Sequence, residues 1–210
     1  MEIIWHGYSC FTIKTKDGTA VINPYKSNVG LKLPALKADA TILSGEESEY
    51  DLKAVTTETK VLNWPGEYEV GGIAITAQLL KSETEKGAGN MLYMLDAEGL
   101  KICYLTNLDG SFTEEIIESI GEVDVLILPI GLDKNSAKQA HQLIEQIEPR
   151  AVVPMLYQTE GLKIELQGVE DFAKQAGIAV IETKDKFTLS SKNDLPEDKT
   201  EFVILKPVVG

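Results

Sequence analysis

The feature that most constrains this chain is a change of rhythm near residue 105. Before it, short β-prone segments follow one another with only turns between them. Ile3–Trp5, Cys10–Lys14 and Thr19–Asn23 open the series, with Lys16-Asp17-Gly18 as a hairpin turn. Ala40–Leu43, Lys60–Leu62, Ile73–Ala77, Met91–Leu95 and Lys101–Leu105 continue it, and Asp96–Gly99 is a second hairpin signal. The polar, glycine-containing stretch Lys81–Asn90 reads as a mobile loop.

After residue 105 helical stripes alternate with apolar strands. Ser111-Phe112-Thr113-Glu114 has capping-box form, with Ser111 as N-cap. Phe112, Ile116, Ile117 and Ile120 then recur at helical spacing up to Gly121. Val125–Leu128 is unbroken apolar sequence, as expected of a strand covered on both faces. Ser136–Ile147 predicts a second helix and Ala151–Met155 the next buried strand. Val169, Phe172, Ala173 and Ala176 give a third helical stripe ended by Gly177. Ile178–Ile181 and Phe202–Leu205 read as closing strands, joined through the polar connection Ser190–Lys199. Hairpins followed by β-α-β-α-β, with no repeat or proline-rich linker, predict two packed sheets with helices outside. The expected fold is an α/β, four-layer αββα sandwich formed by residues 1–210 as a single domain.

Composition narrows the partners. A net charge of −13 argues against nucleic acid, whose phosphates call for clustered Lys and Arg. Apolar runs are too short to span a bilayer, and the first residues lack a basic leader, so a cytoplasmic protein is expected. Cys10 and Cys103, both inside strand-like stretches, read as buried thiols in a reducing compartment.

In order along the chain stand WHGYSCFTI, GTAVINPY, ATILSGEESEYD, NWPGEYEVGGI, ICYLTNLDG, VDVLILPIG and IEPRAVVPMLY. That succession resembles the metallo-β-lactamase superfamily, in particular its small zinc-dependent hydrolases similar to the ascorbate-phosphate lactonases. The resemblance runs from Ile3 to about Leu205 and implies an αββα sandwich with its site where strand ends and loops meet. It also implies a His-x-His-x-Asp-His metal motif after the strand ending at Leu43; here Gly45, Glu47, Glu49 and Tyr50 stand at those positions. The bridging Asp of the family falls at Asn107, its last ligand His at Leu156, and a supporting Asp at Asn23. Gly45 and Leu156 carry no donor atom. Asn107 offers only a neutral carbonyl, and a tyrosine hydroxyl such as that of Tyr50 stays protonated at neutral pH. Two carboxylates do not reach the ligand count of a zinc site. No zinc is therefore expected, and the site is read as degenerate.

The other candidates are few. The chain has two histidines. His6 lies beside the family's Gly-His-Ser-like turn, where Tyr8 replaces the histidine, and reads as a packed strand-end residue. His141 lies within a helix beside an apolar stripe. Glu46, Glu47, Glu49 and Asp51 read as a solvated acidic loop that could take Mg²⁺ or Ca²⁺, chiefly at Glu47 and Glu49. Asp109-Gly110 reads either as a helix-starting turn or as a small-anion site at the helix N-terminus. Glu67, in Pro65-Gly66-Glu67-Tyr68, reads as part of a turn at the pocket mouth. His6, Tyr8, Asn23, Glu67, Asp109 and Tyr157 are the expected pocket residues. No Ser-His-acid arrangement is visible around Ser9, Ser44 or Ser48.

The expected function is binding of a small molecule or a protein, including a second copy of the chain, without catalysis. The alternative is hydrolysis of an ester, lactone or phosphoester at a carboxylate-held Mg²⁺ or Mn²⁺.

Overall fold

The structure, a computed structural model, describes residues 1–80, 91–108, 112–179 and 181–210. The expected loop 81–90 thus lies outside the described residues, as do Asp109, Gly110 and Ser111.

Two sheets form the centre. The first has six strands: β1 (Glu2–Trp5), β2 (Phe11–Lys14), β3 (Thr19–Ile22), β4 (Ala40–Ile42), β5 (Lys60–Leu62) and, far along the chain, β13 (Phe187–Thr188). Their order is β13-β1-β2-β3-β4-β5, antiparallel through β3 and parallel from there to β5. The second has seven strands: β6 (Gly66–Val70), β7 (Ile73–Leu79), β8 (Met91–Ala97), β9 (Leu100–Leu105), β10 (Val125–Pro129), β11 (Ala151–Met155) and β14 (Glu201–Phe202). Its order is β14-β11-β10-β9-β8-β7-β6, parallel from β14 to β9 and antiparallel beyond. A small parallel pair joins β12 (Thr183–Lys184) to β15 (Ile204–Leu205).

Alternation along β3 shows where the layers lie. Ala20 and Ile22 face the main core between the sheets, whereas Val21 faces a second cluster with Cys10, Tyr25, Leu36 and Val55. Helices α1 (Glu114–Ile120), α2 (Ser136–Ile147) and α3 (Val169–Gln175) cover the outside of the seven-stranded sheet. The outer layer over the six-stranded sheet is made of extended loops and 3₁₀ turns at Ser27–Val29, Glu47–Glu49 and Leu52–Ala54 rather than α-helix. The expected sandwich is therefore present, with one of its outer layers built from loops.

Four local expectations need correction. Gly66–Val70 is a strand, not only a turn: Tyr68 and Val70 pack on the core while Glu67 and Glu69 point out. The strand expected over 178–181 forms instead at Thr183–Lys184; 178, 179 and 181 are irregular, and 180 lies outside the described residues. The last expected strand is divided, Glu201–Phe202 joining β11 and Ile204–Leu205 joining β12. Helix α1 is capped by Thr113, whose hydroxyl accepts from the Ile116 N–H, because it directly precedes the first helical residue. Cys10 and Cys103 are free, buried and placed in different apolar clusters, so no disulfide links them. Among the described residues no helix is long and apolar enough to cross a membrane.

Candidate functional site

The carboxyl ends of parallel strands are where α/β folds hold ligands. Here the ends of β3, β4, β9 and β11, together with the β1–β2 loop, meet around a cavity of about 400 Å³. Its polar interior begins with Asn23, just past β3. The Asn23 side-chain amide donates to Ser44 Oγ (2.9 Å) and to the Tyr104 hydroxyl (3.0 Å), while its oxygen accepts from the Ser44 N–H (2.9 Å). Tyr104 in turn donates to the Ser9 carbonyl at 2.6 Å. One connected set of bonds thus fastens β3, β4, β9 and the β1–β2 loop, and it consumes every strong hydrogen-bonding position of Asn23.

The backbone is strained at this junction. Five non-glycine residues among those described have left-handed φ, and three of them line the cavity: Tyr8 (51°), Asn23 (49°) and Leu156 (53°). The Leu156 N–H donates to the Tyr8 carbonyl at 3.2 Å, so two of the three hold each other across the sheets. Such conformations cost on the order of 1–3 kcal/mol each and persist where surrounding packing fixes them, often at binding sites.

The wall is phenolic. Tyr8 and Tyr25 meet edge to face, ring centroids 6.2 Å apart at 84°. The Tyr25 hydroxyl donates to the His6 carbonyl and that of Tyr93 to the Leu43 carbonyl. Burial, and secondarily the charge of Glu49, raises the Tyr8 and Tyr50 hydroxyls above their ordinary range, so both are neutral phenols near pH 7. A Cβ on Gly45 would stand 2.5 Å from Glu49 Oε2 and 3.3 Å from the Tyr50 hydroxyl, so the carboxylate and the phenol converge over the bare backbone.

Of the expected pocket residues, Tyr8 and Asn23 line this cavity and Asp109 lies outside the described residues. His6, Glu67 and Tyr157 are elsewhere. His6 is buried under the outer loop layer, Nδ1 against the Val208 carbonyl (3.0 Å) and Nε2 against Thr12 Oγ1 (2.8 Å). Since a carbonyl only accepts, Nδ1 carries the proton and Thr12 donates to Nε2. Tyr157 packs on Trp5 (5.0 Å between centroids) and reaches the Leu205 carbonyl, and Glu67 lies exposed on the edge strand β6. Of the positions that match the family's ligands, Gly45, Glu49, Tyr50 and Leu156 surround the cavity. Glu47 lines an adjoining depression with Asp51 and Lys53, and Asn107 another beside Asp133. Sequence reasoning missed Tyr25, Tyr104 and Thr106; only their places near strand ends could have indicated them.

The residues present do not fit the zinc centre that the resemblance implies. Gly45 and Leu156 have no donors, Asn23 is committed to Ser44 and Tyr104, and Tyr50 is a protonated phenol. Among the described residues no three or more His, Cys, Asp or Glu side chains are grouped so as to hold a metal ion.

Comparison with known proteins places this geometry in its family. A UPF0173 protein of Pyrococcus abyssi is 26% identical over 197 residues, covering 80% of this chain and 91% of its own. A UPF0173 metal-dependent hydrolase of Thermoplasma acidophilum is 26% identical over 193 residues, covering 76% and 84%. The crystal structure of a provisionally named Zn-dependent hydrolase of the metallo-β-lactamase superfamily from Thermotoga maritima superposes with a TM-score of 0.75 at 27% identity, covering 98% of each chain. The family described as the beta-lactamase superfamily domain matches residues 2–156, and to that family this chain belongs.

Proposed function

We propose that this chain uses the metallo-β-lactamase scaffold to bind a small organic molecule at the strand-end cavity without a zinc centre. The observation that carries the reading is the donor set: glycine and leucine stand where the family's ligands would be, and a closed hydrogen-bond network occupies Asn23. Fold does not fix chemistry, because function resides in the site. Elemental analysis of protein purified without chelator is the test. Well under one zinc per chain is expected, and about two per chain overturns the reading.

A second reading, metal-dependent hydrolysis, is favoured by the names of the Thermoplasma and Thermotoga relatives. The comparisons favour this second reading, and the donor set around the cavity motivates the first. In this reading Glu47 and Glu49 would hold Mg²⁺ or Mn²⁺, although the two line adjoining depressions rather than one. Phosphoester, lactone and thioester substrates screened with a range of divalent ions decide between the two. Turnover that disappears in a Glu47→Gln, Glu49→Gln double variant establishes the second reading and ends the first.

A further inference from the structure

We propose that the strand-end cavity is selective for a small organic cation, an alkylammonium group, with Glu49 as its counter-charge and the rings of Tyr8, Tyr25 and Tyr50 around it. This rests on the reading that the cavity binds a small molecule, and it names the ligand's chemistry.

Three observations converge. First, one Glu49 carboxylate oxygen lies over Gly45 at the cavity wall, in space that any side chain at 45 would fill. Among the described residues no ion pair includes Glu49. Second, the surrounding rings present neutral phenols. The Tyr25 hydroxyl is tied to the His6 carbonyl, which leaves its ring to act as wall rather than donor. Aromatic faces attract ammonium groups. Third, the molecule as a whole carries −13, a field that draws cations toward a cleft with a carboxylate in its wall. Lys26, the other charged lining residue, keeps its positive charge while its ammonium donates to the Ser48 carbonyl, and so works against a cation.

The experiment uses the full chain and proton NMR titration. The probes are choline and tert-butylammonium as cations, 3,3-dimethylbutan-1-ol as choline's neutral isostere, and 3,3-dimethylbutanoate as an anion of similar shape. Both cations are expected to bind, with dissociation constants on the order of millimolar or tighter and methyl resonances moved upfield by the rings. The alcohol and the carboxylate should bind at least about tenfold more weakly. Glu49→Gln should weaken the cations about tenfold. Gly45→Ala should do the same by pushing the carboxylate aside, while Lys26→Met, which removes a positive charge from the same wall, should tighten cation binding. Glu49 is solvent-exposed, and a Cβ at 45 meets chiefly the flexible end of Glu49, so both variants should retain the fold, as circular dichroism would confirm. Binding of the alcohol or the anion as tightly as the cations overturns the selectivity while leaving the binding reading intact. Insensitivity to Glu49→Gln, or no cation binding at all, overturns the inference as well. Stoichiometric zinc in the purified protein brings down the underlying reading too.

Discussion

His6 shows how a residue type with catalytic associations can have both ring nitrogens committed to hydrogen bonds within the fold. Burial penalises its charged ring and lowers its pKa below the ordinary 6.5. As pH falls, the unfolded chain therefore takes up the proton first, and folding loses stability below about pH 6.5 that was fully present above it. The loss approaches about 1.4 kcal/mol per pH unit until the folded ring also titrates. Urea midpoints measured between pH 7.5 and 5 should show this decline, and His6→Asn should flatten it. Asn23 is the second residue on which much depends. Asn23→Ala strips partners from the Ser44 N–H and the Tyr104 hydroxyl, and should cost about 2 kcal/mol or more in chemical denaturation. A loss below about 0.5 kcal/mol would show that water replaces the amide at no penalty.

At the scale of elements, the edge strand β6 illustrates what the sequence displays and what it hides. Pro65-Gly66 and two glutamates argue for a turn, yet Glu67-Tyr68-Glu69-Val70 alternates polar and apolar as a half-buried strand does. Pairing with β7, from Gly66 opposite Ala77 to Val70 opposite Ile73, overrides the weak propensity. The outward glutamates then serve as guards of an otherwise open edge. Replacing both, as Glu67→Val with Glu69→Val, should yield concentration-dependent self-association in sedimentation velocity beyond that of the parent chain. The strands β10 and β11 and the helices α2 and α3 were legible because long apolar runs and 3.6-residue stripes are strong signals. The two-residue strands β12 and β13 were not, since their pairing is set by tertiary contacts beyond any local pattern. The site divided in the same way. Tyr8 and Asn23 could be placed by motif, whereas Tyr25 and Tyr104 come to the cavity only through the register of the two sheets. Thr113→Ala, which removes the observed cap of α1, should destabilise by about 1 kcal/mol in chemical denaturation.

Across the whole molecule, both sheets end in exposed edges on the same side, β5 and β6, joined through residues 63–65. On that connection Trp64 stands 71% exposed, with its carbonyl accepting from the Tyr68 hydroxyl at 3.0 Å. The other tryptophan, Trp5, is fully buried, and its indole N–H donates to the carbonyl of Tyr8 at 3.2 Å. Nature has thereby fitted the chain with two optical gauges of opposite kind. Acrylamide should quench Trp64 emission freely and leave Trp5 almost untouched. A Trp64→Phe variant would emit from Trp5 alone, so that any occupant shifting the Tyr8 loop announces itself as a colour change, without a label.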